Sequence, residues 1–372
     1  MSKNQTEIPF TEMVERVSEI LRLREDVEKK IRGVINDIYV RDISKKEDWS
    51  FLISTSSMTF VAAYGSGNAT IQPGSATITF SSEVVITSAM IGRKIKLQNN
   101  AYLYNIVSMS GTTGAVIGPT LSGTESVTNQ SYEILQPVYP LNLDFDRFPK
   151  NGGLHIFQGG SKKIVPEKAY GESISNFQSV SNDNTEGCRI LGMDTAGRTL
   201  VEVSPTPKNA ISAEYDYLRR ILPLREETSG VIDTVSAAGT TVTGSAGTTR
   251  FTTARTGDFF RVDNFGTGND SEWYRIIAIA NDSSLTLATA FGNSGATSAA
   301  YTICPAPQFP TMMHPAVLYG AIVQLAADQN DSYVMGYKQE YANILTDSKR
   351  LYKTRIYNPE IETIAEDFNF RR

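Results

Sequence analysis

Gly92-Arg-Lys-Ile-Lys-Leu97 returns later in the chain as Gly257-Asp-Phe-Phe-Arg-Val262, in each case a glycine followed by a strand of alternating character. The likeness extends outward. Tyr102-Leu-Tyr-Asn-Ile-Val107 matches Trp273-Tyr-Arg-Ile-Ile-Ala278, and Ala115-Val-Ile117 with Leu121 matches Leu285-Thr-Leu287 with Phe291. Tyr132-Glu-Ile-Leu-Gln-Pro137 matches Tyr301-Thr-Ile-Cys-Pro305, and each is followed by an aromatic-Pro pair, Tyr139-Pro140 or Phe309-Pro310. Short period-two runs between Gly, Asn and Ser clusters predict small antiparallel sandwiches or barrels, at 59–140 and at 230–310. Two copies are too few for a solenoid, so each module is expected to fold separately inside a host chain.

Charge marks the same division. Residues 1–50 hold 10 Lys+Arg and 11 Asp+Glu, whereas 49–143 hold only Glu83, Arg93, Lys94, Lys96, Glu125 and Glu133, and Ser283 to Ala327 hold none. These charge-poor stretches are too diluted by Gly, Ser, Thr and Asn to be membrane spans. Over the 372 residues the formal net charge is −5, which argues against a general nucleic-acid binder. A hydrophobic fraction of 40% is that of a folded chain. With only Cys188 and Cys304, no disulfide framework is expected, and Met1 to Pro9 carry no apolar run of a signal peptide.

The host is what remains: 1–58, 141–229 and 311–355. Val14, Val17, Ile20, Leu21, Val27, Ile31, Val34, Ile35 and Ile38 recur at helical spacing and predict a helix over about 10–40, with Thr11 as its N-cap. Pro315 opens a second helical stretch, Asn330-Asp-Ser332 breaks it, and Val334, Tyr337, Tyr341, Ile344 and Leu345 carry a third, which together predict a terminal hairpin. The middle piece reads as strands around Gly152-Gly153-Leu-His-Ile-Phe157, Thr199-Leu-Val-Glu-Val-Ser204 and Ala213-Glu-Tyr-Asp-Tyr217.

In this order, Phe145-Asp-Arg-Phe148, Leu200-Val-Glu-Val-Ser-Pro-Thr-Pro207, Ala213-Glu-Tyr-Asp-Tyr-Leu-Arg-Arg220 and Phe309-Pro-Thr-Met-Met-His-Pro315 resemble the head-to-tail adaptor (neck, or tail tubular) proteins of tailed bacteriophages. The resemblance covers the three host pieces and not the β modules. It implies an α+β fold: a helical adaptor body with short antiparallel strands, plus two inserted all-β modules. It further implies a ring of about twelve copies in the virion neck that joins the portal protein to a tail or tail-nozzle protein, around DNA it does not read. Such a protein would be made in the host cytoplasm, with no membrane partner. Residues 356–372 would then be an extended arm whose Ile361, Ile364, Phe368 and Phe370 dock on a neighbour or on the portal.

No reactive constellation is expected. His155 and His314 lie in no metal-ligand spacing, and Asp144 and Asp146 flank Phe145 without a partner acid, base or ligand. No serine stands in a nucleophile elbow, and Gly65-Ser-Gly67 and Gly159-Gly160 form no phosphate loop. Asp263-Asn-Phe-Gly-Thr-Gly-Asn-Asp270 lacks calcium-loop spacing and reads as a hairpin turn. Cys188 and Cys304 read as buried thiols, and Tyr102, Tyr104, Trp273 and Tyr274 as core aromatics rather than a sugar platform. Catalytic, cofactor and metal residues are therefore expected to be none. The adaptor reading stands against a second one, a tail-completion or adhesion protein whose paired β domains bind glycan or protein.

Overall fold

The computed structural model describes residues 7–22, 27–98, 102–121, 126–150, 152–158, 161–168, 180–181, 185–263, 272–292, 295–326 and 332–353. Of these, 39% lie in strands and 24% in helices. This corrects the expected fold class, because a mostly β protein is not a helical adaptor body carrying small insertions. The reason lies in the middle piece, 141–220, whose short alternating runs all become strands and bury a core of their own.

By spatial proximity the chain gathers into two compact units, Met1–Phe51 with Ile221–Arg372, and Leu52–Arg220. In the first, α1 (Phe10–Leu21) and α2 (Glu28–Asp37) replace the single expected helix. Arg22 ends α1 in the left-handed conformation at φ 50°, its N–H turned back to the Glu19 and Ser18 carbonyls. The cap position is Pro9, not Thr11, and the Thr11 hydroxyl donates instead to Glu226 Oε1 at 2.8 Å. A π-helical turn, Ile38–Ile43, extends α2 and buries Tyr39 and Ile43.

The unit Leu52–Arg220 opens with β1 (Ile53–Phe60). Its module contains β2 (Ala69–Ile71), β3 (Thr77–Phe80), β4 (Lys94–Leu97), β5 (Leu103–Met109), β6 (Gly114–Gly118), β7 (Val127–Gln130) and β8 (Tyr132–Leu135). They form one seven-stranded sheet in the order β7-β2-β3-β6-β5-β4-β8. The middle piece follows as β9 (Val138–Pro140), β10 (Phe145–Arg147), β11 (Gly153–Gln158), β12 (Ser161–Pro166), β13 (Val180–Ser181), β14 (Gly187–Met193), β15 (Thr199–Ser204), β16 (Thr206–Pro207) and β17 (Ile211–Arg219). One sheet runs β1-β17-β11-β12 with β10 also on β17, and another runs β14-β15-β9. Phe60, Phe145, Leu154, Ile156, Val201, Val203 and Tyr215 make their shared core.

In the first unit the second module contains β18 (Ile232–Val235), β19 (Thr241–Gly244), β20 (Phe259–Val262), β21 (Tyr274–Asn281), β22 (Ser284–Leu287), β23 (Ala296–Ala299) and β24 (Tyr301–Cys304). Its order, β23-β18-β19-β22-β21-β20-β24, is that of the first module strand for strand. The registers agree too. Ile95 faces Tyr104 and Ile134, and Phe260 faces Tyr274 and Ile303. A bulge follows Ile106 in one copy and Ile276 in the other, and both turn an aliphatic side chain outward, Val107 at 57% exposure and Ile277 at 55%. Gly92 at φ 84° and Gly257 at φ 99° donate their N–H groups to the Ile106 and Ile276 carbonyls at 2.8 and 2.7 Å. A left-handed turn at that point explains the glycine that opens both quoted stretches. The chain then forms α3 (His314–Leu325) and α4 (Ser332–Tyr352), which pack together as the expected hairpin.

Candidate functional site

Each module is closed at its root. Tyr64 bridges Ile134 in one module and Glu227 bridges Ile303 in the other, so the incoming and outgoing chain lie side by side. Just beyond, the Tyr132 hydroxyl donates to the Ser66 carbonyl at 2.7 Å, and the Tyr301 hydroxyl to the Ser229 carbonyl at 2.6 Å. Burial raises both phenols, Tyr301 to about 12, so the hydroxyls remain donors. The next residue is a glycine in each copy, Gly67 at φ 71° and Gly230 at φ 80°. A Cβ at Gly230 would lie 2.7 Å from the Thr248 carbonyl carbon, so the backbone there admits no side chain.

Each module is also fastened to the rest of its own unit through the strand that the opening glycine begins. In the first, Lys94 on β4 lies 3.1 Å from Glu202 Oε1 on β15, while Arg189 on β14 holds Glu202 Oε2 at 2.5 Å. The Glu202 side chain is 4% exposed, so this is a buried carboxylate between two cations. The Val203 N–H donates to the Pro137 carbonyl at 2.9 Å beside it, and Lys208 pairs with Glu133 at 2.6 Å. In the second, Arg261 on β20 lies 2.7 Å from Glu15 of α1 and stacks 4.5 Å from the centre of the Trp273 ring. Arg275 on β21 lies 3.4 Å from Glu7, and the Phe10 N–H donates to the Pro305 carbonyl at 3.0 Å. Different host elements thus meet the same face of the same module.

The base of the C-terminal segment is fixed as well. Glu47 accepts from Lys349 at 2.7 Å and Lys353 at 2.9 Å, and these ammonium groups hold its carboxyl below the usual range. Trp49 bridges Lys353, and the rings of Tyr352, Phe51, Phe309 and Tyr39 follow one another at 5.6, 5.6 and 4.8 Å. The proposed arm residues Ile361, Ile364, Phe368 and Phe370 lie outside the described residues. A cleft of about 300 Å³ in this unit is lined by Tyr39, Pro223, Arg225, Arg255, Asp258 and Gln308. A second, of about 670 Å³ in the unit Leu52–Arg220, is lined by Lys96, Gln98, Tyr132, Glu133 and Lys208 among others.

The residues weighed for chemistry are dispersed. Asp144 accepts from the Tyr217 hydroxyl at 2.8 Å, and Asp146 pairs with Arg147 at 3.0 Å. His155 lies in β11, half-buried, and among the described residues its Nδ1 has no hydrogen-bond partner. His314 is 1% exposed; its Nδ1 accepts the Ile8 N–H at 3.0 Å and its Nε2 lies 3.1 Å from the Phe309 carbonyl. Cys188 and Cys304 are fully buried, and burial pushes both thiols up to about 12. Tyr104, Trp273 and Tyr274 are core, and Tyr102 alone of that set is exposed. Gly159, Gly160, Ser122, Ser294 and all of the Asp263–Asp270 loop after Asp263 lie outside the described residues. Among the described residues no three His, Cys, Asp or Glu gather as metal ligands.

Sequence reading missed the Lys94–Glu202–Arg189 cluster and the Glu47 clasp. A signal existed for the first, since Glu202 is the lone charge in the apolar run Leu200-Val-Glu-Val203. No protein-family model matches the chain, and no curated protein matches its sequence.

Proposed function

We propose that this chain is a structural subunit of a phage particle, an adaptor that joins portal to tail as one member of a ring around the DNA channel. The observation that carries the reading is the duplicated module, closed at its root and fastened through one face in both copies. A part repeated in the same topology, with the same latch and two different hosts, serves architecture: it adds a rigid body without altering the chain it is set into. The resemblance of the host segments to the adaptor family supplies the particular assembly. The clasp of Glu47 on Lys349 and Lys353 fits that role, because it gives a docking arm a fixed point of departure. The net charge of −5 suits a bore through which DNA must slide. The reading is of a β-rich adaptor and keeps nothing of the helical body.

The test is direct. Purified portal rings from the same particle are mixed with the full chain and imaged by electron microscopy. Added density stacked on one face of the portal is the expected result, and removal of residues 356–372 should weaken it. Portal rings left bare at saturating chain would overturn the reading.

A further inference from the structure

The cleft of about 300 Å³ in the first unit has fixed walls and unengaged cations. It is lined by Tyr39, Leu222, Arg225, Arg255, Asp258 and Gln308 among others. Its backbone is held at three points. Asn36 of α2 clamps Leu224, its Oδ1 accepting the Leu224 N–H at 2.7 Å and its Nδ2 donating to the Leu224 carbonyl at 3.1 Å. Asp258 closes a turn with Arg255: its carboxylate accepts the Arg255 N–H at 2.8 Å, and its own N–H donates to the Arg255 carbonyl at 3.1 Å. The Gln308 N–H donates to the Tyr39 hydroxyl at 2.9 Å. Among the described residues, however, neither the Arg225 nor the Arg255 guanidinium donates a hydrogen bond or stands in an ion pair. Against these two cations the lining sets one acid, Asp258, which the turn already engages, so the cleft carries excess positive charge.

We infer that the segment following α4 occupies this cleft in the free chain, with Glu360 and Glu362 on Arg225 and Arg255. Residues 354–372 lie outside the described residues, and their point of departure, reach and charge select them as the occupant. The chain leaves α4 beside the cleft: the rings of Tyr352, Phe51, Phe309 and Tyr39 lead from its last turn to the lining in steps of 5.6, 5.6 and 4.8 Å. That departure point is tied to the same unit by Glu47 on Lys349 and Lys353 and by the Trp49–Lys353 bridge. About five extended residues cover the span, which brings Pro359 and Glu360 to the cleft. Residues 356–370 hold Glu360, Glu362, Glu366 and Asp367 and no Lys or Arg, so the charge is complementary. In an extended segment Glu360 and Glu362 fall on one side and Ile361 on the other. Two carboxylates then address two guanidinium forks, while Ile361 meets apolar surface such as Leu222, which is 45% exposed. A tethered segment acts at high effective concentration, so it fills the cleft ahead of an acidic segment of another molecule. The docking goes beyond the ring proposed above. It concerns the free chain and leaves Ile364, Phe368 and Phe370 for a partner, so either idea can fail alone.

The experiment is cross-linking within the full chain, with no portal present. Cys188 and Cys304 are 0% exposed and stay silent, so two introduced thiols report their own separation. With a short bismaleimide, Ile361→Cys paired with Gln308→Cys at the cleft should close an intramolecular link about tenfold faster than Ile361→Cys paired with the exposed control Ala237→Cys. Arg225→Glu together with Arg255→Glu should remove that advantage. Adding Glu360→Arg and Glu362→Arg to the same chain should restore it, which also shows that the reversed cleft is folded. A rate no faster than the control, a loss that the second reversal does not repair, or a covalent dimer in place of the intramolecular link would each overturn the inference. The dimer would assign the cleft to the arm of another copy.

Discussion

Tyr132 and Tyr301 hold the same register position in two separate sheets, opposite Leu97 and Val262, and each donates its hydroxyl to the carbonyl of a serine that precedes a left-handed glycine. The repeat is therefore one of hydrogen-bond logic as well as of strand order.

Removing the hydroxyl should have one consequence in both places. Tyr132→Phe and Tyr301→Phe each remove the donor to a serine carbonyl that water can reach, at a cost of about 0.5 to 1.5 kcal/mol. Gly67→Ala and Gly230→Ala should cost more, since each adds a Cβ where atoms already stand and a positive φ opposes it. Denaturant unfolding of the four variants measures this, and a neutral Tyr→Phe in only one module would break the equivalence.

The two module fastenings should differ sharply in weight. Glu202→Ala strands Lys94 and Arg189 in a buried setting and should cost about 3 to 5 kcal/mol. Glu15→Ala removes a half-exposed partner of Arg261 and should cost less than about 1 kcal/mol. Comparing the two by urea denaturation distinguishes a buried anchor from a surface pair.

His314 should make stability depend on pH. Its Nδ1 accepts the Ile8 N–H, which a protonated ring cannot do, and burial holds the imidazole below its ordinary value of 6.5. The unfolded ring binds a proton first as pH falls, so the stabilisation is complete above about 6.5 and is lost below it. Glu7 is the acid whose charge acts on the ring, and its pull is smaller than the burial effect. Thermal unfolding between pH 7.5 and pH 5 should fall more steeply in the native chain than in His314→Gln.

Thiol titration should find no reactive cysteine in the folded chain. Cys188 and Cys304 are fully buried and are pushed up to about 12, so neither offers a thiolate at neutral pH. A disulfide reagent should react with both in denaturant, and with neither in native buffer over the same interval.

Much of this was legible in the residues themselves. The pairing of Gly92–Leu97 with Gly257–Val262 holds in space, as Ile95 and Phe260 fill the same sheet position. Ile117 and Leu287 likewise face Ile106 and Ile276. The equivalence of Tyr104 to Tyr132 with Tyr274 to Tyr301 holds too, since Tyr104 faces Ile95 and Tyr274 faces Phe260, although the blocks quoted from Tyr102 and from Trp273 begin one residue out of step. The larger miss was the body of 141–220. Its strands were visible, but β15 is buried on both faces and β10, β13 and β16 are two or three residues long, too short for periodicity to outweigh a resemblance that implied helices. The charge clusters were invisible for another reason, since Lys94, Arg189 and Glu202 come together only through sheet pairing and docking.

The closed roots have a meaning for the history of the chain. Where Tyr64 meets Ile134, and Glu227 meets Ile303, the two ends of a module lie one strand spacing apart, about 4.8 Å. A gene could gain or lose the whole segment in frame at either point while the flanking strands and helices kept their positions. Each root is in effect a socket of standard width, open to exchange by recombination and available to anyone who wishes to mount a different domain in its place.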